Sequence, residues 1–356
     1  MELGFIGLPN SGKSTVFNAI TRADVDVTAY ANPKAEPNVA IVEIDDERVD
    51  CLAEIYQPKK TVRATVTFID FVGVVRGNGD NTEIFSPAIM GLVKNLDALA
   101  YVVRNFTDPI EGPPDPVGDV EKLDDELLLA DLIVTERRIE RIAQSEKKGI
   151  ATHEIKLEGK ALRRVHEQLD AGRPIRDLSL TNDEKGAIKG FQFLTQKPIL
   201  VVVNSDEASF GKNQEAITSI GAKHPAIEFA GSFEMELVQL GETEALAFRE
   251  DMGIEASARA RLTKLAHEIV GYISFFTVGP KEVHAWNIKD GGNAVGAAGA
   301  IHSDLARGFI RAERFTYTEI VEHGSEKALK ETGLIRLEGK DYVVQDGDIL
   351  LIRFSV

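Results

Sequence analysis

The chain has 356 residues, 43% of them apolar, with a formal net charge of -16. That length suits two or three domains with a sizeable core, and the acidic balance argues against broad non-specific nucleic-acid binding while leaving room for a local basic face. No apolar run is long enough to span a bilayer, and "MELGFIGLPNSGKS" has no basic region followed by a hydrophobic stretch, so no membrane span or signal peptide is read and the cytoplasm is expected. The single Cys51 excludes an intramolecular disulfide and a cysteine-based zinc site, and the seven His residues are scattered.

Leu3 to Ile6 read as a short buried strand, followed by Gly7-Leu8-Pro9-Asn10-Ser11-Gly12-Lys13-Ser14. This fits G-x-x-x-x-G-K-[ST], a pattern that arises by chance in a chain this long about one time in a hundred. Ser14 to Thr21 read as the opening turns of a helix, completing the strand, loop and helix that the motif requires. Gly7 and Gly12 let backbone N–H groups wrap a phosphate, and the helix presents its positive end to the same anion. Within the stretch Asn10, Ser11, Gly12, Lys13, Ser14 and Thr15, Lys13 is assigned to the β and γ phosphates and the Ser14 hydroxyl to Mg²⁺.

The next core strand, Val66 to Ile69, ends on Asp70, with Gly73 three residues later. An acid there can hold the Mg²⁺ shell, and the glycine N–H can meet the γ-phosphate. Ala98 to Phe106 read as another buried strand, and about a hundred residues then separate it from the strand at Pro198. That is too long for an ordinary crossover, so an insertion is required. After the Pro-rich link "DPIEGPPDPVGD", the segment 121–146 carries Leu128, Leu132, Thr135, Ile139 and Ile142 at spacings of four and three, and Leu162, Val165 and Leu169 continue the pattern. An antiparallel helical hairpin is expected. Its exposed charge favours a projecting arm over a bundle packed on the sheet, with a candidate basic face at Arg137, Arg138, Arg141, Arg163 and Arg164.

"ILVVVNSDE" ends on Asn204-Ser205-Asp206-Glu207, which by itself is either the polar cap of a buried strand or a base-reading loop. Guanine readers of this class carry N-K-x-D here; this chain has Ser205 and Glu207 instead, so the guanine clamp has lost its reason and adenine is the better fit. A strand at 226–230 leads to Gly231-Ser232, a helix is read over 254–271, and short β patterns follow, ending in "YVVQDGDILLIRF", read as a hairpin turning at Asp346-Gly347. Trp286 is assigned to the core of that region rather than to a base-stacking platform.

These residues resemble the Obg-like ATPase (YchF) family. The resemblance runs nearly end to end, through "GLPNSGKST", "EPN" at 36–38, "LDALAYVVRNF", "ELLLADLIVTERRIER", "NSDE" and the C-terminal "FFTVGPKEVHAWNIKDGGNAVGAAGAIHSDLARGFIRAE" and "LEGKDYVVQDGDILLIRFSV". It implies an α/β P-loop NTPase domain with a doubly wound sheet, an inserted helical hairpin and a C-terminal β-grasp (TGS-like) domain. The expected division is 1–120 and 186–271 for the nucleotide-binding domain, 121–185 for the insertion and 272–356 for the terminal domain. The resemblance further implies an ATP-binding protein, GTP being less favoured, that works with the ribosome or ribosomal RNA; a monomer is expected. It places Gly231 and Ser232 beside the base, with Asn204 and Glu207 in the base loop.

Three departures bear on turnover. Lys34 stands where the family has a switch I threonine, switch II is degenerate in "VVRGNGDNTEIF", and the family's proposed catalytic histidine falls at Pro109. Val74 follows Gly73, so a water-orienting glutamine of the Ras type is also absent. A slow ATPase switching between ATP and ADP states is therefore the first expectation. A nucleotide-responsive adaptor without hydrolysis and a GTPase are the alternatives; a metabolic kinase would need an acceptor site and an arginine-bearing lid, and neither is evident.

Overall fold

The computed structural model describes residues 1–21, 37–71, 87–109, 112–240, 242–251, 254 and 256–355. Its strands are β1 (Glu2–Ile6), β2 (Asn38–Glu43), β3 (Lys60–Val62), β4 (Thr65–Asp70), β5 (Ala98–Asn105), β6 (Ile199–Ser205), β7 (Ala226–Phe229), β8 (Tyr272–Thr277), β9 (Glu282–Lys289), β10 (Phe309–Thr316), β11 (Arg336–Glu338) and β12 (Asp348–Phe354). The helices through the insertion are α1 (Lys13–Thr21), α2 (Glu47–Tyr56), α3 (Pro87–Val93), α4 (Pro116–Lys147), α5 (His153–Asp170) and α6 (Asn182–Ile188). They are followed by α7 (Gln214–Gly221), α8 (Gly231–Gln239), α9 (Glu242–Asp251), α10 (Ala258–Val270), α11 (Ala294–Ile301), α12 (Ser303–Arg307), α13 (Tyr317–His323) and α14 (Glu326–Glu331). Lys34 and Glu36, and also Gly73 and Val74 with the rest of switch II, lie outside the described residues.

Packing divides the chain into two compact units, one of residues 2–40 and 68–258, the other of 41–67 and 259–356 together with Met1. This grouping differs from the expected division at 41–67 and 259–271, which it places with the C-terminal residues. The cause is strand pairing that sequence order hides: β3 adds in parallel to β9, with Lys60 opposite Glu282 and Val62 opposite His284.

One sheet has the order β2-β4-β1-β5-β6-β7. β5 and β6 are buried along their whole lengths, as parallel strands covered on both faces must be. The order reverses at β1, which has the later strand β4 on one side and β5 on the other, so a ligand crevice is expected outside its carboxyl end. α1 covers one face through Val16, Phe17 and Ile20, with Phe17 edge-on to Phe5 of β1; fully burying each such side chain is worth about 1.5–3 kcal/mol. Val120, Leu123 and Leu127 of α4 join the other face's cluster with Tyr101, Val103, Val201 and Val203.

α4 starts five residues before the expected 121, because Asp115 caps it by accepting from Gly118 N at 3.0 Å and Pro116 supplies a pre-set φ at its first turn. Its first half therefore belongs to the sheet's core. Its second half pairs with α5 around Ile142, Leu162, Val165 and Leu169, with Leu128, Leu132 and Ile139 packed alongside. The hairpin is not a bare two-helix arm: Ile188 of α6 and Phe193 complete the same cluster. Asp131, buried on α4, accepts from Leu194 N (3.0 Å), Thr195 N (2.8 Å) and Thr195 Oγ1 (2.8 Å), and burial holds its carboxyl above the usual range against those bonds. The expected basic face is largely neutralised, since Arg138 forks onto Glu158 at 2.6 and 2.9 Å, Arg164 meets Glu184 at 2.5 Å and Arg163 meets Glu146 at 3.6 Å. Arg137 and Arg141 stay exposed.

The other sheet, β11-β10-β12-β8-β9-β3, mixes antiparallel β8–β9 and β10–β12 pairs with a parallel β12–β8 junction. α11 packs on it through Ala294, Ala297 and Ala298, the arrangement expected of a β-grasp. The expected hairpin at Asp346-Gly347 does not form, as only Asp348–Phe354 is strand and its partners are β10 and β8. The chain does turn at Asp346-Gly347, Asp348 N donating to Gln345 O at 3.1 Å, but the segment before the turn forms only a single bridge from Val343 to Asn293, while the buried Asp348 accepts from Arg314 Nε (2.7 Å), Tyr342 Oη (2.7 Å) and Gln345 N (2.9 Å). Trp286 packs half-buried against this core, stacked on His284, with Nε1 donating to Thr277 Oγ1 at 3.0 Å. No described helix is long and apolar enough to cross a membrane.

Candidate nucleotide site

The loop from β1 to α1 has the backbone that an anion cradle needs. Asn10 (φ 61) and Gly12 (φ 78) are both left-handed, a conformation that glycine takes freely and asparagine tolerates best among the other residues. Alternation of hand along such a turn points successive N–H groups inward, next to the positive end of α1. Gly7 is forced by space rather than by φ, since a Cβ there would stand 2.5 Å from the Val102 carbonyl oxygen and 2.7 Å from Ser11 Oγ. Ser11 N donates to Leu8 O at 3.2 Å, and the Ser11 hydroxyl is buried without a hydrogen-bond partner. An orphaned hydroxyl in a loop of this shape fits a polar ligand.

Three charged or polar side chains meet beside the loop. Lys13 Nζ donates to Asp70 Oδ1 and, at 2.6 Å, to Phe71 O. Ser14 Oγ donates to Asp70 Oδ2 at 3.2 Å. Asp70, at the end of β4, is fully buried. A hydroxyl and a carboxylate at hydrogen-bond distance are hard oxygen donors of the kind Mg²⁺ takes alongside phosphate oxygens and water, so the residues fit that ion. Among the described residues no group of three or more His, Cys, Asp or Glu could hold a metal.

The phosphate loop and the start of α8 converge on Asn204. Its Nδ2 donates to Ser11 O at 3.0 Å, and its Oδ1 accepts from Gly231 N at 3.1 Å. A Cβ on Gly12 would lie 2.1 Å from Nδ2, and one on Gly231 2.6 Å from Oδ1. The structure thus brings Ser11, Gly12, Lys13, Ser14, Asp70, Asn204 and Gly231 together, with Thr15 Cγ2 3.5 Å from the position a Gly231 Cβ would take. Asn10, Glu207 and Ser232 are exposed.

Ser205 departs from its expected place. It lies in β6, is buried, accepts from Asn105 Nδ2 at 2.8 Å and donates to Glu228 Oε1 at 2.6 Å, so the strand runs two residues past the point where it was read to stop. Asn105, Glu228 and Arg104 are not among the site residues that the sequence motifs mark. Arg104, buried on β5, holds the segment after that strand through Phe106 O (2.7 Å), Gly112 O (2.8 Å) and Pro113 O (3.1 Å). The available signal was an arginine and an asparagine inside an otherwise apolar strand, which demand partners when buried.

Residues 2–147 match a family profile described as 50S ribosome-binding GTPase, and 272–355 match the YchF GTPase C-terminal profile, described as a protein of unknown function. The chain is 37% identical to the "Ribosome-binding ATPase YchF" of Bacillus subtilis, over 100% of both chains. It is likewise 37% identical to that of Haemophilus ducreyi, over 100% of this chain and 99% of the relative. The structure titled "Structure of the Schizosaccharomyces pombe YchF GTPase" superposes with a TM-score of 0.85 at 30% identity, covering 99% of this chain and 97% of that one. A phosphate loop on a doubly wound sheet, an inserted helical hairpin and a terminal β-grasp therefore sit in a chain related to these proteins along its whole length: it belongs to the YchF family of P-loop NTPases.

Proposed function

We propose that the chain binds ATP with Mg²⁺ and hydrolyses it slowly, the nucleotide state governing its docking at the ribosome. The observation that carries the choice of base is Ser205: it is buried in β6 and bonded on both sides, so the lysine of a guanine clamp has no counterpart, and the acid of the loop is Glu207. In this reading Lys13 neutralises the β and γ phosphates, Ser14 and Asp70 hold the ion, and the loop N–H groups of 10–15 wrap the phosphates. When bound, Mg²⁺ supplies charge neutralisation of the phosphate chain. Asn204 and Gly231 keep the base loop against the phosphate loop, with Glu207 and Ser232 on the base side. Gly73 is assigned to the γ-phosphate from its spacing alone. The relatives named ribosome-binding ATPases support the partner and a cytoplasmic place of action.

A second reading, an adaptor that binds without hydrolysis, draws on Pro109 where the family's proposed histidine is expected and on Lys34 in switch I. Measuring Mg²⁺-dependent ATP and GTP binding, then phosphate release with and without ribosomes, separates the two. ATP preference with ribosome-stimulated release supports the switch. Tight ATP binding without release supports the adaptor, and GTP preference overturns the base assignment.

A further inference from the structure

The loop that leaves β6 is held from beneath by one carboxylate. Glu228 stands on β7, paired in parallel register with Val203 of β6. Its Oε1 accepts from Ser205 Oγ at 2.6 Å and from Asn213 Nδ2 at 3.3 Å, and its Oε2 accepts from Gly211 N at 3.0 Å. Both ends of the stretch 205–213 are therefore bonded to the same side chain. The link continues away from Glu228: Ser205 accepts from Asn105 Nδ2 at 2.8 Å, and Ser209 Oγ donates to Asn105 O at 3.1 Å. Within the loop, Ser209 N closes on Asp206 Oδ1 at 2.8 Å and Phe210 N on Asp206 O at 2.9 Å, leaving Glu207 exposed at the turn.

From this geometry we infer that Glu228 is the positioning residue of the base loop, setting where Glu207 stands and hence which purine the site accepts. The inference rests on the reading that the loop after β6 faces the base. Two features favour a positioning role over ordinary packing. Charge-assisted hydrogen bonds to a carboxylate are stronger than neutral ones, and here three of them converge from separate points of one loop. None reaches the phosphate loop, whose tie to this region runs separately through Asn204 to Ser11 and Gly231. Base reading and phosphate holding thus have distinct anchors.

The test uses the full-length chain and calorimetric titration with Mg²⁺ and either ATP, GTP or inorganic tripolyphosphate. Glu228→Ala is expected to weaken ATP binding about tenfold, the equivalent of one such bond, and to narrow the ATP:GTP ratio. Tripolyphosphate affinity is expected to be unchanged, a result that a misfolded variant does not give. Glu228→Gln retains one acceptor oxygen and is expected to fall between wild type and Ala; Ser205→Ala, losing one of the three bonds, should shift the ratio in the same direction by less. Unchanged ATP affinity and ratio in Glu228→Ala overturn the inference and leave the proposed ATP site standing, as does an equal loss for ATP and tripolyphosphate. Wild-type protein that binds tripolyphosphate as tightly as ATP shows that no base is read, and both readings then fall.

Discussion

Asn204 Nδ2 donates to the carbonyl of Ser11 at 3.0 Å, joining the end of β6 to the phosphate loop across 193 residues of chain. The amide is buried and its Oδ1 is spent on Gly231 N, so one side chain ties together the ends of three structural elements. Asn204→Ala leaves a buried carbonyl and a buried N–H unpaired, each costing about 1–3 kcal/mol. Affinity for MgATP and for tripolyphosphate should fall together, by tenfold or more in calorimetry. Asn204→Asp should fare no better, because it sets a carboxylate oxygen against the Ser11 carbonyl.

Gly12 is constrained twice, by φ of 78 and by the 2.1 Å that would separate an added Cβ from Asn204 Nδ2. Gly12→Ala is expected to abolish measurable ATP binding. Gly231→Ala clashes closely with Asn204 Oδ1, at 2.6 Å, without a positive φ to strain it, and should reduce affinity less. Equal affinities for the two variants and wild type would show that this junction does not shape the site.

Lys13 pairs with a fully buried Asp70. Lys13→Ala should remove ATP binding and also destabilise the nucleotide-free chain, because removing one member of a buried pair strands the other; the cost is roughly 3 kcal/mol, Ser14 remaining as a donor. Adding Asp70→Asn should recover most of the lost thermal stability without restoring ATP binding. A single variant that melts with wild type would show the pair to be energetically neutral.

His267 on α10 gives a pH dependence. Asn287 Nδ2 donates to Thr65 O at 3.1 Å, so its Oδ1 is the acceptor facing His267 Nε2 at 3.2 Å, and the imidazole must donate from that nitrogen. Burial holds the His267 pKa below its usual 6.5; the bond to Asn287 and the charges of Asp346 and Asp46 oppose this, while Arg48 adds to it. The unfolded chain therefore takes up a proton that the folded chain declines, and stability present above about pH 6.5 is lost as pH falls toward the folded pKa. His267→Gln should lose less melting temperature than wild type between pH 7 and 5.5. Parallel losses in the two proteins would refute the assignment.

Local chemistry made much of this protein legible in its sequence. The phosphate loop was readable because a tight anion cradle demands glycine where φ is positive or a Cβ has no room, at Gly12 and Gly7. The buried strands were readable as apolar runs, and the hairpin from the spacing of Leu128, Leu132, Ile139 and Ile142, since burial on one helical face requires that period. Tertiary pairing decided the rest. Whether Ser205 ends a loop or continues a strand depends on its register with Asn105, and Glu228 becomes an anchor only because parallel pairing with Val203 sets it under the loop. The segment 60–62 joins the C-terminal sheet through a partner more than two hundred residues away. Such bonds pair groups remote in sequence, and no local pattern of residue types encodes which strand will lie beside which.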